Sequence, residues 1–147
     1  MEQLAVYGGL SLSAFLAATL LPASSEAVLA GLVSTGAGDP VALLAVATVA
    51  NTGGSAVNWL LGRLVSRWRH LRWFPIAPER YERAQRWFER FGEWSLLFAW
   101  LPFVGDPLTV AAGTLRIKFA RFLVLVALGK AVRYAVIVAG SLWWSGL

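Results

Sequence analysis

Leu21-Pro22-Ala23-Ser24-Ser25-Glu26 and Leu101-Pro102-Phe103-Val104-Gly105-Asp106 interrupt an otherwise apolar chain with one shared spacing: leucine, proline, three residues, acid. Behind each break comes a long, predominantly apolar run, Val41 to Leu61 and Phe122 to about Leu142. At ~1.5 Å of rise per residue, each run is long enough to cross ~30 Å of hydrocarbon. The runs begin near Val41 and Arg121, and that interval is the same as the one from Leu21 to Leu101. A hairpin followed by a span, written twice at one offset, is the pattern of an internal duplication. Each unit crosses the membrane once, so the second copy is inverted relative to the first. Paired broken helices in an inverted repeat point to a substrate site near the bilayer midplane.

Composition agrees with a membrane location. Hydrophobic residues make up 58% of the chain and charged residues 14%, against roughly 25% charged in soluble domains. Mean hydropathy is +0.63. These values exclude intrinsic disorder and argue against an ordinary soluble enzyme. With no cysteine, disulfides, thiolate metal sites and cysteine nucleophiles are all excluded. The single histidine, His70, builds no imidazole metal cluster, so neither a metal nor a cofactor is expected. The formal charge of +5 would suggest nucleic acid in a soluble protein, but here it is expected to orient the chain in the membrane.

The expected organisation is one all-α polytopic domain over residues 1–147. It comprises a first repeat at 1–62, a basic amphipathic segment at 63–93 and a second repeat at 94–147. The first apolar stretch, Leu4 to Leu21, has only Glu2 ahead of it and no positive region, so it does not read as a cleaved signal. Between Arg63 and Glu93, eight arginines face four glutamates, a local net charge of +4. Pro78 predicts a helix start, followed by Tyr81, Ala84, Trp87, Phe88, Phe91 and Trp94 at spacings of three or four. The aromatic face suits the bilayer interface. The other face carries Arg83, Arg86 and Arg90, with Glu79 and Arg83, and Glu82 and Arg86, at the i to i+4 separation. Nothing in it resembles a base-reading module, so no nucleic-acid partner is expected.

By the positive-inside rule this loop is expected to be cytoplasmic. Arg116, Lys118 and Arg121 place positive charge beyond the second broken segment as well. Ser95 to Leu115 is therefore expected to dip in and return as a re-entrant hairpin, with breaks at Pro102, Gly105 and Pro107. Pro22 marks the corresponding break of the first hairpin, which opens to the outside.

The same stretches carry a family resemblance. Leu20-Leu-Pro-Ala-Ser-Ser-Glu-Ala-Val-Leu29, Asn51-Thr-Gly-Gly54, Asn58-Trp-Leu-Leu-Gly-Arg63, Trp100-Leu-Pro-Phe-Val-Gly-Asp106 and Gly129-Lys-Ala-Val-Arg-Tyr134 resemble the DedA family of small bacterial membrane proteins, in its YqaA-like branch. The resemblance implies the VTT architecture of two opposed re-entrant hairpins plus transmembrane helices. It further implies lipid translocation, since members are linked to undecaprenyl-phosphate recycling and eukaryotic relatives to phospholipid scrambling. In bacterial members, transport is thought to draw on the proton-motive force. Glu26 matches the family's first-hairpin carboxylate. Better-known members carry arginines around the second hairpin's Pro-Gly motif, where this chain has Trp100, Gly105 and Asp106. Ser55 stands near the place of an acid that follows a glycine in their first long helix.

The polar residues expected at membrane depth are Glu26, Asn51, Asn58, Asp106, Lys130 and Arg133, the candidate substrate and ion pathway. One ionised side chain at the hydrocarbon centre costs about 2.5 to 3.5 kcal/mol even on the mild insertion scale, so these charges need partners. Lys130 and Arg133 share one helical side and are expected to approach Glu26 or Asp106. Gly54, Asn58 and Gly62 form a small-residue stripe that lets another backbone approach, and helix packing alone explains it equally. Asp106 before Pro107 also reads as an N-cap, and Ser24 or Ser25 with Glu26 reads as a helix start.

Two function classes follow. One is a transporter or flippase of a lipid or small amphiphile, with protons as a candidate coupling partner. The other is a membrane assembly or scaffolding protein in which the buried charges only lock helices together. Glu26→Asp and Lys130→Arg discriminate them, because a scaffold tolerates charge-conserving changes that disturb a transport site. An enzyme is not expected, since no nucleophile-base pair or metal cluster can be assembled. Four short elements are few to enclose a pathway, so a homodimer is expected.

Overall fold

The computed structural model describes residues 1–18, 24–65 and 76–146. Pro22 and the arginines at 67, 69 and 72 lie outside the described residues, and so does His70. Every regular element among the described residues is helical: α1 (Glu2–Ala17), α2 (Ser24–Ser34), α3 (Pro40–Val65), α4 (Pro78–Phe91), a 3₁₀ segment (Gly92–Phe98), α5 (Gly105–Thr114) and α6 (Phe119–Ser145). α3 and α6 are long and apolar enough to cross a membrane. Both outrun their apolar cores, because a helix absorbs the small and polar residues at its ends that hydropathy leaves out.

The exposed side of each long helix is apolar. On α3, Val41, Val49, Val57 and Leu61 are exposed, and on α6, Val124, Leu128, Val132 and Val136. On α6 they recur every fourth residue along one side, and apolar exposure of this kind suits lipid better than water. Asp39 starts α3, its Oδ1 accepting the Ala42 amide at 2.8 Å. α4 begins at Pro78, as its sequence predicts, and buries Tyr81, Ala84 and Phe88 while its arginines stay exposed.

The second break is not one continuous helix. The 3₁₀ segment ends at Phe98, residues 101–104 turn, and α5 starts at Gly105. A Cβ on Gly105 would overlap the Ala99 carbonyl oxygen, so the chain closes on itself here only with glycine. The expected cap is displaced. Val104 holds the N-cap position, and Asp106 and Pro107 both lie inside the first turn. Proline is tolerated there because first-turn amides have no intrahelical acceptor.

α2 and α5 end alike. Gly36 lies left-handed at φ 64° with Gly36 N donating to Val33 O and Ala37 N to Leu32 O. Arg116 lies left-handed at φ 56° with Arg116 N donating to Gly113 O and Ile117 N to Ala112 O. Both are Schellman ends. The interval from Gly36 to Arg116 equals that from Leu21 to Leu101, so the two ends fall at matching places in the repeat.

The residues group into two compact units, Met1–Gly54 with Lys130–Leu147, and Ser55–Gly129. In the first, α1 packs against α2, and Leu10, Ala14, Leu29, Val33, Leu43, Ala47, Tyr134 and Val138 form the core. In the second, α4 packs against α5, around a core that includes Trp59, Phe88, Leu96, Leu108 and Phe122.

Candidate functional site

In the first unit, the polar side chains of α2, α3 and α6 meet below the surface. Arg133 Nη2 and Glu26 Oε1 form an ion pair in which each side chain keeps only about a quarter of its exposure, 22% and 29%. The next residue repeats the pairing in neutral form, with Tyr134 Oη and Ser25 Oγ sharing a hydrogen bond of 3.0 Å. Arg133-Tyr134 of α6 therefore grips Ser25-Glu26 at the start of α2. Ser25 is buried, so its hydroxyl serves Tyr134 across the unit. Arg133 is the fifteenth residue of the 27-residue α6, ~21 Å along a helix of ~40 Å. The pair thus sits at mid-helix.

One turn away, Lys130 Nζ donates to the Asn51 carbonyl at 3.0 Å and to Asn51 Oδ1. Asn51 Nδ2 in turn donates to the Ala14 carbonyl at 2.7 Å. Asn51 thereby joins α1 to α6, and Lys130, 4% exposed, has its charge solvated by oxygens of α3. Gly54 permits this approach, since a Cβ there would collide with the Phe15 carbonyl and Ala18 Cβ.

In the second unit, Asp106 Oδ1 accepts a long hydrogen bond of 3.5 Å from Asn58 Nδ2, and its carbonyl accepts Thr109 Oγ1 at 2.8 Å. Gly62 lies on the Val110 carbonyl, and Gly113 on the Trp59 carbonyl and the Arg63 amide, so α3 and α5 touch backbone to backbone. Trp59 Nε1 donates to the Ile117 carbonyl at 3.2 Å, fixing the chain where α5 ends. The stripe of Gly54, Asn58 and Gly62 therefore makes close packing contacts, and Asn58 adds a polar one.

The structure brings together Glu26 with Arg133, Asn51 with Lys130, and Asn58 with Asp106. Pro102 lies in the turn before α5, and Pro107 is buried in its first turn. Sequence reasoning missed Ser25 and Tyr134 as partners, although a tyrosine beside an arginine in mid-span was a usable signal. It also missed Thr48 and Thr52, whose buried hydroxyls have no hydrogen-bond partner among the described residues. No group of three or more His, Cys, Asp or Glu is placed to hold a metal ion among the described residues. What the arrangement can do chemically is hold paired charge and spare hydroxyl donors within a membrane-spanning helix bundle.

The VTT domain family matches residues 21–142. The chain is 38% identical over 136 residues to the inner membrane protein YqaA of Escherichia coli, covering 90% of this chain and 91% of that protein. It is 35% identical over 137 residues to an uncharacterized protein of Haemophilus influenzae, covering 86% and 82%. A more distant relative, undecaprenyl phosphate transporter A of Staphylococcus aureus, is 26% identical over 98 residues, covering 61% of this chain and 48% of that protein. No solved structure matches the chain.

Proposed function

The chain belongs to the VTT-domain family, in the YqaA-like branch of the DedA proteins, and from that premise we propose that it translocates a lipid or small amphiphile across a bacterial inner membrane. The observation that carries this reading is the Glu26–Arg133 ion pair at the middle of α6. Ionisable groups at membrane depth are costly, and a helix bundle held only by packing has no need of them. A pair at the start of a short helix, opposite a long one, is placed to open for an anionic headgroup and close behind it. Protons are the proposed coupling species, because Glu26 is the group that protonation would release from Arg133.

Two features support an inverted repeat of re-entrant hairpins. The Schellman ends of α2 and α5, at Gly36 and Arg116, keep the offset that relates Leu21 to Leu101. Each compact unit also combines one short-helix segment, the first half of the long helix behind it and the second half of the other long helix. Exchanging the repeats turns one composition into the other. In this reading residues 63–93 face the cytoplasm. A cysteine at Arg86 in this otherwise cysteine-free chain tests the orientation, since labelling it only from the periplasmic side of intact cells would reverse the assignment.

The decisive experiment is a proteoliposome assay with fluorescent phospholipids and polyprenyl phosphates, with and without a pH gradient. The polyprenyl phosphates come first because a relative is named for undecaprenyl phosphate. Wild type is expected to move at least one probe class faster than empty vesicles, and Glu26→Gln to slow it at least tenfold. Folded wild type that moves none of the probes, with Glu26→Asp and Lys130→Arg equally stable, would favour the scaffolding reading.

A further inference from the structure

Away from the polar cluster, the second unit carries an open groove of about 560 Å³ lined by Glu93, Trp94, Ala120, Arg121, Val124 and Leu125. Arg121 is the third residue of the membrane-spanning α6, which sets it at the level where lipid headgroups begin. Below it Val124, 60% exposed, continues the lipid-facing stripe. Trp94, 68% exposed, forms the other wall with a side chain suited to the interface. The Arg121 guanidinium meets Glu93 Oε2 at 3.2 Å and Oε1 at 3.4 Å, both side chains well exposed. Such a pair is weak and readily exchanged. Arg116 and Lys118 precede Arg121 within six residues, and both are exposed. Arg116, Lys118 and Arg121 give the chain entering α6 a local charge of +3 against the one acid of the groove's lining, Glu93, and the floor of the groove is hydrocarbon.

We propose that this groove binds one anionic phospholipid, whose phosphate takes Arg121 from Glu93 and whose acyl chain lies along Val124 and Leu125. Zwitterionic lipids fit less well, because their own ammonium offsets the phosphate in the same positive field. The groove shares no residue with the Glu26–Arg133 cluster, so this site stands or falls separately from the translocation reading.

Native mass spectrometry of the full chain in detergent, titrated with phosphatidylglycerol, phosphatidylcholine or inorganic phosphate, tests it. Arg121→Gln is expected to weaken phosphatidylglycerol binding about fivefold, the worth of one interfacial cation, and Arg121→Lys to restore most of it. Val124→Trp, which fills the groove and leaves its charge intact, should weaken binding comparably. Glu93→Gln should tighten binding, because it removes the competitor for Arg121; a purely structural ion pair would show no such gain. Unchanged affinity in Arg121→Gln, or loss of affinity in Glu93→Gln, overturns the proposal. So does complete displacement by equimolar inorganic phosphate, which would make this a free-anion site.

Discussion

Asn51 is the twelfth residue of α3 and Lys130 the twelfth residue of α6, and they bond directly, Nζ donating to both oxygens of the asparagine. At the offset that relates Leu21 to Leu101, Asn51 corresponds to Ala131, so this contact joins residues one place apart in the repeat.

Breaking that contact from the asparagine side should be the costlier route. Asn51→Leu removes the Oδ1 acceptor of Lys130 and the Nδ2 donor to the Ala14 carbonyl, leaving Lys130 its bond to the backbone carbonyl of residue 51, and a loss of about 1–2 kcal/mol is expected for two lost buried hydrogen bonds. Adding Lys130→Met should recover part of it. Thermal unfolding midpoints of the single and double variants in detergent check this, and a double variant worse than both singles would refute it.

The ion pair predicts the same sign of coupling. Glu26→Gln and Arg133→Gln should each lower stability by about 1–2 kcal/mol, less than for a fully buried pair because both side chains keep some exposure. The double variant should lose less than the sum. Strict additivity in a double-mutant cycle would show that the charges do not interact.

Close backbone approach makes glycines in the second unit irreplaceable. Gly62→Ala and Gly113→Ala place a methyl on the Val110 and Trp59 carbonyls, and each is expected to cost about 1–3 kcal/mol or more. Gly8→Ala, with nothing within 4 Å of the new methyl, should be neutral or stabilise by up to about 1 kcal/mol. Membrane-inserted yield and unfolding temperature of the three variants should separate accordingly.

Arg116 holds the left-handed end of α5 that glycine holds at the end of α2. Arg116→Gly should therefore stabilise the protein by about 0.5–1 kcal/mol, the conformational penalty of a side chain there. An unfolding midpoint that falls would mean that the arginine side chain contributes more than its backbone costs.

The amino-acid sequence alone determined what depends on local chemistry. The two long spans were legible because some twenty residues carrying at most two charges have one solution in a bilayer. The breaks around Pro102 and the start of α4 at Pro78 were legible because proline restricts its own backbone. The candidate polar residues were legible too, since charge in an apolar run stands out whatever surrounds it. Tertiary structure alone decided the partners. Nothing in the spacing says that Lys130 meets Asn51, that Ser25 serves Tyr134 instead of capping its helix, or that Asp106 takes Asn58. Those pairings depend on the rotation of each helix about its axis and on how closely glycine lets backbones approach. Both are fixed by contacts between residues far apart in the chain, where no local preference reaches.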